Sequence, residues 1–299
     1  MCVCGGGAAS FALGKSVAMM FGLVGCGGNS DSGDASKEVN KSSDETKTST
    51  PAELSGTISI TGSTSVEKIL NEMIDEFCAI HPDVTINYTG SGSSAGIKDT
   101  IEKTNNIGAS SRELKGEEQA DGLKTEAFAY DGIAVVVNPK CGVSDISLEQ
   151  LQGIYSGKIT NWKELGGEDK EIFVVSREEA SGTRSAFEEL IKLEETDGLT
   201  SNAAVSQGNG PVQLAVAGNE CAIGYVSFSY IDDTVKALTV EGIEPTVENV
   251  KSKTYALSRP FLFVYLEGEI GDIEKEFLEF ALSEDGQKCV ETHNGIRID

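Results

Sequence analysis

The stretch Gly56-Thr-Ile-Ser-Ile-Thr-Gly-Ser-Thr-Ser-Val-Glu-Lys-Ile-Leu70 sets the reading of the whole chain. Residues 56–61 alternate and are rich in β-branched side chains, which predicts a strand. Apolar residues then fall at 66, 69, 70, 73, 74 and 77, the spacing of one helical face. Between the two lies Gly62-Ser-Thr-Ser65, a turn of small and hydroxyl residues where a strand ends and a helix begins. The same order of events occurs twice more. Asp83-Val-Thr-Ile-Asn-Tyr88 predicts a strand, Thr89-Gly-Ser-Gly-Ser-Ser-Ala-Gly96 a turn, and a helix follows from about residue 97. Far along the chain, Ile172-Phe-Val-Val-Ser176 leads through Arg177-Glu-Glu-Ala-Ser-Gly-Thr183 into a helix over 184–193, with Phe187, Leu190 and Ile191 inward. Strands that alternate with helices in this way predict an α/β fold.

Turns of this kind have a specific chemistry. The first N–H groups of a helix have no intrahelical partner, and the helix dipole makes that end partly positive. Glycine admits a ligand close to the backbone, and Ser and Thr hydroxyls add donors that rotate to suit it. Such turns bind small oxyanions without net positive charge. That property matters in a chain of 299 residues with 24 Lys and Arg against 48 Asp and Glu, a formal charge of −24. A global field of that sign repels an anion, so local dipoles must act at short range. It also repels phosphodiester backbones, and no basic stripe with interleaved aromatics offsets it, so a nucleic-acid partner is excluded. Two histidines, His81 and His293, argue against a His-rich metal centre, and neither a metal nor a cofactor is expected. Two phosphate-loop look-alikes fail on detail. Residues 90–98 lack the Gly-Lys-Ser/Thr ending of a nucleotide loop, and Gly14-Lys15-Ser16 lacks the first glycine.

The first 25 residues carry one charge, Lys15, and the apolar run Val17-Ala-Met-Met-Phe-Gly-Leu-Val24. That run is too short to span a bilayer and suits the apolar part of an export signal. Leu23-Val24-Gly25-Cys26 resembles a bacterial lipobox, which makes Cys26 the expected site of lipidation. Residues 26–55 hold almost no large apolar side chain and read as a flexible polar tether. Of the cysteines beyond it, Cys78, Cys141, Cys221 and Cys289, none shows metal-ligand spacing. Export permits disulfides, with 78–289 and 141–221 as one pairing and buried free thiols as the alternative.

Over residues 56–299 the sequence resembles the phosphate-binding proteins of ABC importers, the PstS family. The motifs that carry the resemblance are Gly62-Ser-Thr-Ser65, Gly90-Ser-Gly-Ser-Ser94, Gly108-Ala-Ser-Ser-Arg112 and Asp131-Gly-Ile-Ala-Val-Val-Val-Asn-Pro139. Ile154-Tyr-Ser-Gly-Lys-Ile-Thr-Asn-Trp162, Arg177-x3-Ser181-Gly-Thr-Arg184 and Ile223-Gly-Tyr-Val-Ser-Phe-Ser229 complete the set. The resemblance implies a two-lobed periplasmic-binding-protein fold of type II: mixed sheets flanked by helices, a ligand cleft between the lobes and two hinge crossovers. The expected boundaries are 56–131 with 231–299 for the first lobe, 138–226 for the second, and 132–137 and 227–230 for the crossovers. Carried over by motif, the phosphate-binding residues are Ser63, Thr64, Ser65, Ser93, Ser94, Ser111, Arg177, Ser181, Gly182 and Thr183. Many family members have an aspartate where Ser111 stands, a carboxylate that accepts the proton of a phosphate hydroxyl. Selection of phosphate over sulfate needs such an acceptor, and Asp131 is its expected replacement.

The resemblance therefore implies a monomeric lipoprotein, anchored to the outer face of a bacterial cell membrane, that hands inorganic phosphate to an ABC permease. Two alternatives stand beside it. One is a receptor for another tetrahedral oxyanion, sulfate or molybdate. The other is a serine acyl enzyme using the spacing Ser65-x-x-Lys68, although no Ser-Asp-Asn or Lys-Thr-Gly companion follows.

Overall fold

A computed structural model describes residues 54–298. The export signal, Cys26 and all of the tether but its last two residues lie outside the described residues; Leu54 already packs against a core. The chain opens with β1 (Gly56–Gly62), α1 (Glu67–Ile80), β2 (Val84–Gly90), α2 (Ser93–Ile101) and β3 (Ile107–Ser110). The long β4 (Leu123–Val137) leads to β5 (Asp145–Ile146), α3 (Leu148–Tyr155), β6 (Phe173–Arg177), α4 (Gly182–Leu190), β7 (Ala204–Ser206), α5 (Asn209–Ala217) and β8 (Ala222–Ser227). Then follow β9 (Lys236–Ala237), β10 (Thr239–Val240), α6 (Val247–Lys251), β11 (Ser258–Leu266), α7 (Asp272–Leu282) and α8 (Glu284–Thr292).

The strands lie in the order β2-β1-β3-β11-β4-β8-β6-β7, with β9 also on β4 and β10 paired with β5. Strand β1 runs parallel to β2 and β3, β6 runs parallel to β7 and β8, and the central β11-β4-β8 pairings are antiparallel. Two hydrophobic cores form on this frame. The first gathers Ile58, Ile60, Leu70, Met73 and Phe77 with Phe128, Phe261, Phe263 and Phe277. The second gathers Val135, Ile154, Tyr155, Val175, Phe187, Tyr225 and Val226. Trp162 belongs to the second core and donates its indole N–H to the Cys221 carbonyl at 3.0 Å.

Strand β4 belongs to both cores. Residues 123–132 pair with β11, and Ile133–Val137 pair with β8. Its continuous apolar run 133–137 is buried on both faces, as a central strand requires. The expected first crossover thus falls inside one strand. The second differs from expectation. Val235, Leu238, Val240, Val250, Tyr255 and Leu257 pack on the second core, and β9 and β10 pair with β4 and β5 there. The chain returns to the first core at 257–258, beside β4, where the Ile133 N–H donates to the Leu257 carbonyl at 2.7 Å. Of the crossover expected at 227–230, residues 228–230 form a 3₁₀ turn at the end of β8. The strands over 236–240 are two residues each, too short to show a period in the sequence.

All four described cysteines are free thiols. Cys289 is buried with its Sγ turned to the Asp285 carbonyl of its own helix at 3.4 Å.

Candidate functional site

Three expected strand-to-helix turns converge, and a fourth joins them. Gly62–Val66 carries the chain from β1 to α1, and Gly92, at φ 94°, turns it from β2 into α2. Ser181 caps α4 by accepting the Arg184 N–H at 3.2 Å. The fourth turn joins β7 to α5, with Gly208 at φ 101° and Asn209 as the first helical residue. Sequence reading missed it, because Gly208-Asn-Gly-Pro211 also spells an ordinary loop.

The hydroxyls of the first core meet those of the second at hydrogen-bond distance. Ser65 Oγ lies 2.8 Å from Thr183 Oγ1, and Arg177 Nη2 donates to Thr64 Oγ1 at 3.1 Å. Arg177 Nη1 reaches Thr183 Oγ1 at 3.4 Å. Within the first core, Ser63 Oγ donates to Ser111 Oγ at 2.8 Å, and Ser93 Oγ sits 3.3 Å from Ser111 Oγ. Ser63, Ser65, Ser93, Ser111, Arg177, Ser181 and Thr183 are all buried. The halves come close at Gly182: a Cβ there would stand 2.1 Å from Ser93 Oγ and 2.7 Å from Ser111 Oγ. No other residue type leaves room for this approach.

Two further side chains complete the cluster, and the resemblance supplied neither. Arg259, on β11 and 4% exposed, donates from Nη2 to Ser65 Oγ at 3.0 Å and from Nη1 to Ser111 Oγ at 3.3 Å. Asn209 Nδ2 donates to Ser65 Oγ at 3.1 Å and to Thr64 Oγ1 at 3.3 Å, while its Oδ1 accepts the Ser227 N–H at 3.1 Å. The one sequence signal for Arg259 was a lone charge opening the apolar run Pro260-Phe-Leu-Phe-Val264.

Asp131 is in the cluster but in a different role from the one expected. Its Oδ2 accepts from Arg259 Nε at 3.2 Å and Nη2 at 2.9 Å, and its Oδ1 accepts from Ser227 Oγ at 2.9 Å and the Phe228 N–H at 3.2 Å. A carboxylate offers about four acceptor directions, and here its own chain fills them, so Asp131 has no free oxygen for a ligand's proton. Burial pushes its carboxyl above the usual range, against the pull of the Arg259 charge and the hydrogen bonds. Four donors surround the carboxylate, and the Arg259 guanidinium lies against it as the counter-charge. Burial likewise pulls Arg259 below its usual value, and Asp131 pushes back. Arg177 pairs with Glu178, at 2.7 Å.

Some expected residues are engaged elsewhere. Ser94 accepts from Arg112 Nη2 at 2.9 Å and gives its N–H to the Ala180 carbonyl at 3.1 Å, so it tightens contact between the second and third turns. Lys68 donates to the Ser229 carbonyl at 2.8 Å and lies 4.3 Å over the Tyr230 ring. No hydrogen bond joins it to Ser65, whose oxygen already accepts from Arg259 and Asn209, and a nucleophile–base pair is not assembled. His81 stacks at the end of α1 on Phe77, and His293 meets Glu72 at 2.7 Å.

Comparison with known proteins identifies the family. The model of the PBP superfamily domain matches residues 47–285. The phosphate-binding protein PstS of Bacillus subtilis is 35% identical over 88% of this chain and 87% of its own. A crystal structure of a putative phosphate ABC transporter substrate-binding protein with bound phosphate, from Clostridium perfringens, is 49% identical. It superposes with a TM-score of 0.79 over 82% of this chain and 100% of that one. An ABC-type phosphate transport receptor from Vibrio cholerae is 38% identical, with a TM-score of 0.70 over 81% and 100%. The fold is thus the type II two-lobed architecture of periplasmic binding proteins, and this chain belongs to the PstS family of phosphate-binding proteins.

Proposed function

We propose that this protein is an extracytoplasmic receptor that encloses inorganic phosphate between its two cores and passes it to the permease of an ABC importer. The observation that carries the reading is the meeting of Ser65, Thr64 and Ser111 from one core with Arg177 and Thr183 from the other, around the close approach of Gly182. A tetrahedral anion drawn into that meeting point would bridge the halves, and its binding energy would favour closure. The phosphate-binding role of the Bacillus relative and the phosphate bound in the Clostridium structure support this ligand.

In this reading Thr64, Ser65, Ser93, Ser111 and Thr183 supply hydroxyl donors. Gly182 and its neighbours supply the N-terminus of α4, and Arg177 supplies charge-assisted bonds. Ser63 and Ser181 hold those groups in place. No covalent step is involved. Micromolar affinity needs about −8 kcal/mol, and hydrogen bonds to a charged group contribute roughly 1.5–3 kcal/mol each, so the set is ample. Export through the amino-terminal signal, with Cys26 as a lipid anchor and residues 26–55 as tether, places a monomer at the outer membrane face beside its permease. The tests are calorimetric titration with phosphate and acid release of copurified anion for colorimetric assay. Wild-type protein should bind and Arg177→Ala should bind at least about a hundredfold more weakly; equal affinities would remove Arg177 from the site.

A further inference from the structure

The turn that carries β1 into α1 is held by its carbonyls. The Ser63 carbonyl accepts from the Tyr88 hydroxyl on β2. The Thr64 carbonyl accepts from the Tyr230 hydroxyl at 3.1 Å, and the Ser65 carbonyl accepts more loosely from Ser229 Oγ at 3.4 Å. Tyr88 packs on the first core, whereas Ser229 and Tyr230 follow β8 and Tyr230 packs on the second. Lys68, in the first turn of α1, returns the contact. Its Nζ donates to the Ser229 carbonyl at 2.8 Å and lies 4.3 Å over the Tyr230 ring. Both phenols keep their protons to donate: burial, helped by the nearby Glu67 charge, raises Tyr230 to about 12 and holds Tyr88 well above the usual range.

A trans peptide points its C=O and its N–H in opposite directions. Fixing the carbonyls of Ser63 and Thr64 on one side therefore sends the N–H groups of Thr64 and Ser65 to the other. The Ser65 N–H meets Ser63 Oγ there at 3.2 Å, within the hydroxyl cluster. The Thr64 N–H has no partner among the described residues. An amide preset in this way has little orientational freedom left to lose when an anion arrives.

We propose that Tyr230, braced by Lys68, is a positioning residue for anion capture: it arrives with the second core, grips the Thr64 carbonyl from behind, and fixes the amides of the first turn toward the bound anion. This rests on the receptor reading above and adds to it contacts that form behind the ligand rather than on it. Tyr88 supplies the same kind of bond from within the first core, in the open and the closed arrangement alike. The Tyr230 and Lys68 contacts exist only when the halves meet. Neither side chain hydrogen-bonds the hydroxyls of Ser65, Ser111 or Thr183, so their effect runs through the Thr64 peptide and the Ser229 carbonyl. Their loss should leave the first encounter with the anion unchanged and speed its release, as contacts formed after encounter do.

The experiment follows release of radiolabelled phosphate from the full chain after a chase of excess unlabelled phosphate, together with the association rate and the ligand-free Tm. Wild type is compared with Tyr230→Phe and Lys68→Met. Tyr230→Phe removes one hydroxyl and keeps the ring, so release should be about three- to tenfold faster while association stays within about twofold. Its ligand-free Tm should match wild type, because the bond it loses joins the halves only on closure. Lys68→Met removes the brace, keeps an apolar stem over the ring, and should speed release in the same sense. Release at the wild-type rate in either folded variant overturns the proposal while leaving the phosphate reading intact. A ligand-free Tm that falls as far as the phosphate-bound one makes Tyr230 a packing residue and also overturns it. Wild type that retains no phosphate sinks the receptor reading, and the proposal with it. Lys68 is exposed, so Lys68→Met decides the matter even if Tyr230→Phe does not fold.

Discussion

Gly182 sits where a methyl group would collide with two hydroxyls of the opposite core, at 2.1 and 2.7 Å. Those distances exist only when the halves are together, so Gly182→Ala should leave the ligand-free fold intact and penalise closure. The measurement is the phosphate-dependent rise in Tm. A ligand present at a hundred times its Kd stabilises the bound state by about 2.7 kcal/mol, and the variant should lose most of that increment at the same phosphate concentration. An unchanged rise would mean that the Ser93–Gly182–Ser111 contact plays no part in ligand capture. The residue scale also shows why Arg259 escaped the sequence reading. Asp131 and Arg259 stand 128 positions apart, and neither lies in a Gly/Ser/Thr turn. What distinguishes them is that both are buried and paired, a property of the folded chain alone.

Helix caps do two jobs here, and substitution can separate them. Ser181 caps α4 at the site, and Ser147 caps α3 away from it, accepting the Gln150 N–H at 3.1 Å while Gln150 reaches back. Either Ser→Ala change should cost about 1 kcal/mol of stability, within the usual 0.5–2, read as a shift in the midpoint of urea unfolding. Only Ser181→Ala should also weaken phosphate binding, since only it loosens the N-terminus that faces the anion. Equal affinities for the two variants would make the Ser181 cap purely structural. At this scale the sequence was most readable. The strands at 56–61, 83–88 and 172–176 and the helices after them follow from alternation and from helical spacing, and the structure has all of them within a few residues. The α5 turn was not legible, because its Asn-Gly-Pro composition is common to loops, and its role depends on which strand delivers it beside Thr64. The stretch 231–257 was misplaced for a related reason. Its strands are too short to carry a period, and pairing with β4 and β5 decides where they go.

Stability of the whole molecule is tied to acid–base groups at the junction of the two cores. Burial tends to raise Glu178 and Glu118, but the hydrogen bonds and charges of Arg177 and Arg112 outweigh it and hold both carboxyls below their usual value of 4.5. A carboxylate with a depressed folded pKa stabilises the fold above its unfolded pKa and loses that contribution as pH falls through the folded one. Melting temperature should therefore drop as pH is lowered below about 4.5, and Glu178→Gln should flatten that acid limb. A limb as steep as wild type in Glu178→Gln would assign acid sensitivity to other groups. Asp131 acts in the opposite sense, because burial raises its folded value and protonation on acidification relieves part of the cost.

The Asp131–Arg259 pair ties the two strands that cross between the cores, since Asp131 on β4 stands opposite Arg259 on β11 in the ladder. Removing one partner leaves the other charged in the interior, which costs roughly 3–5 kcal/mol, whereas replacing both with apolar groups of similar volume is often neutral or better. Asp131→Ala should therefore move the urea midpoint far to lower concentration, and Asp131→Leu combined with Arg259→Met should recover most of it. The recovered protein should still fail to bind phosphate tightly, because Ser65 and Ser111 would have lost the Arg259 donor that holds them in place. A double variant that is stable and also binds as wild type would show that the crossing strands need the pair for packing and that the ligand does not. Stability and affinity moving apart in this way would instead mean that a buried ion pair, costly for folding on its own, is kept at the junction of the cores for what it does to the neighbouring hydroxyls.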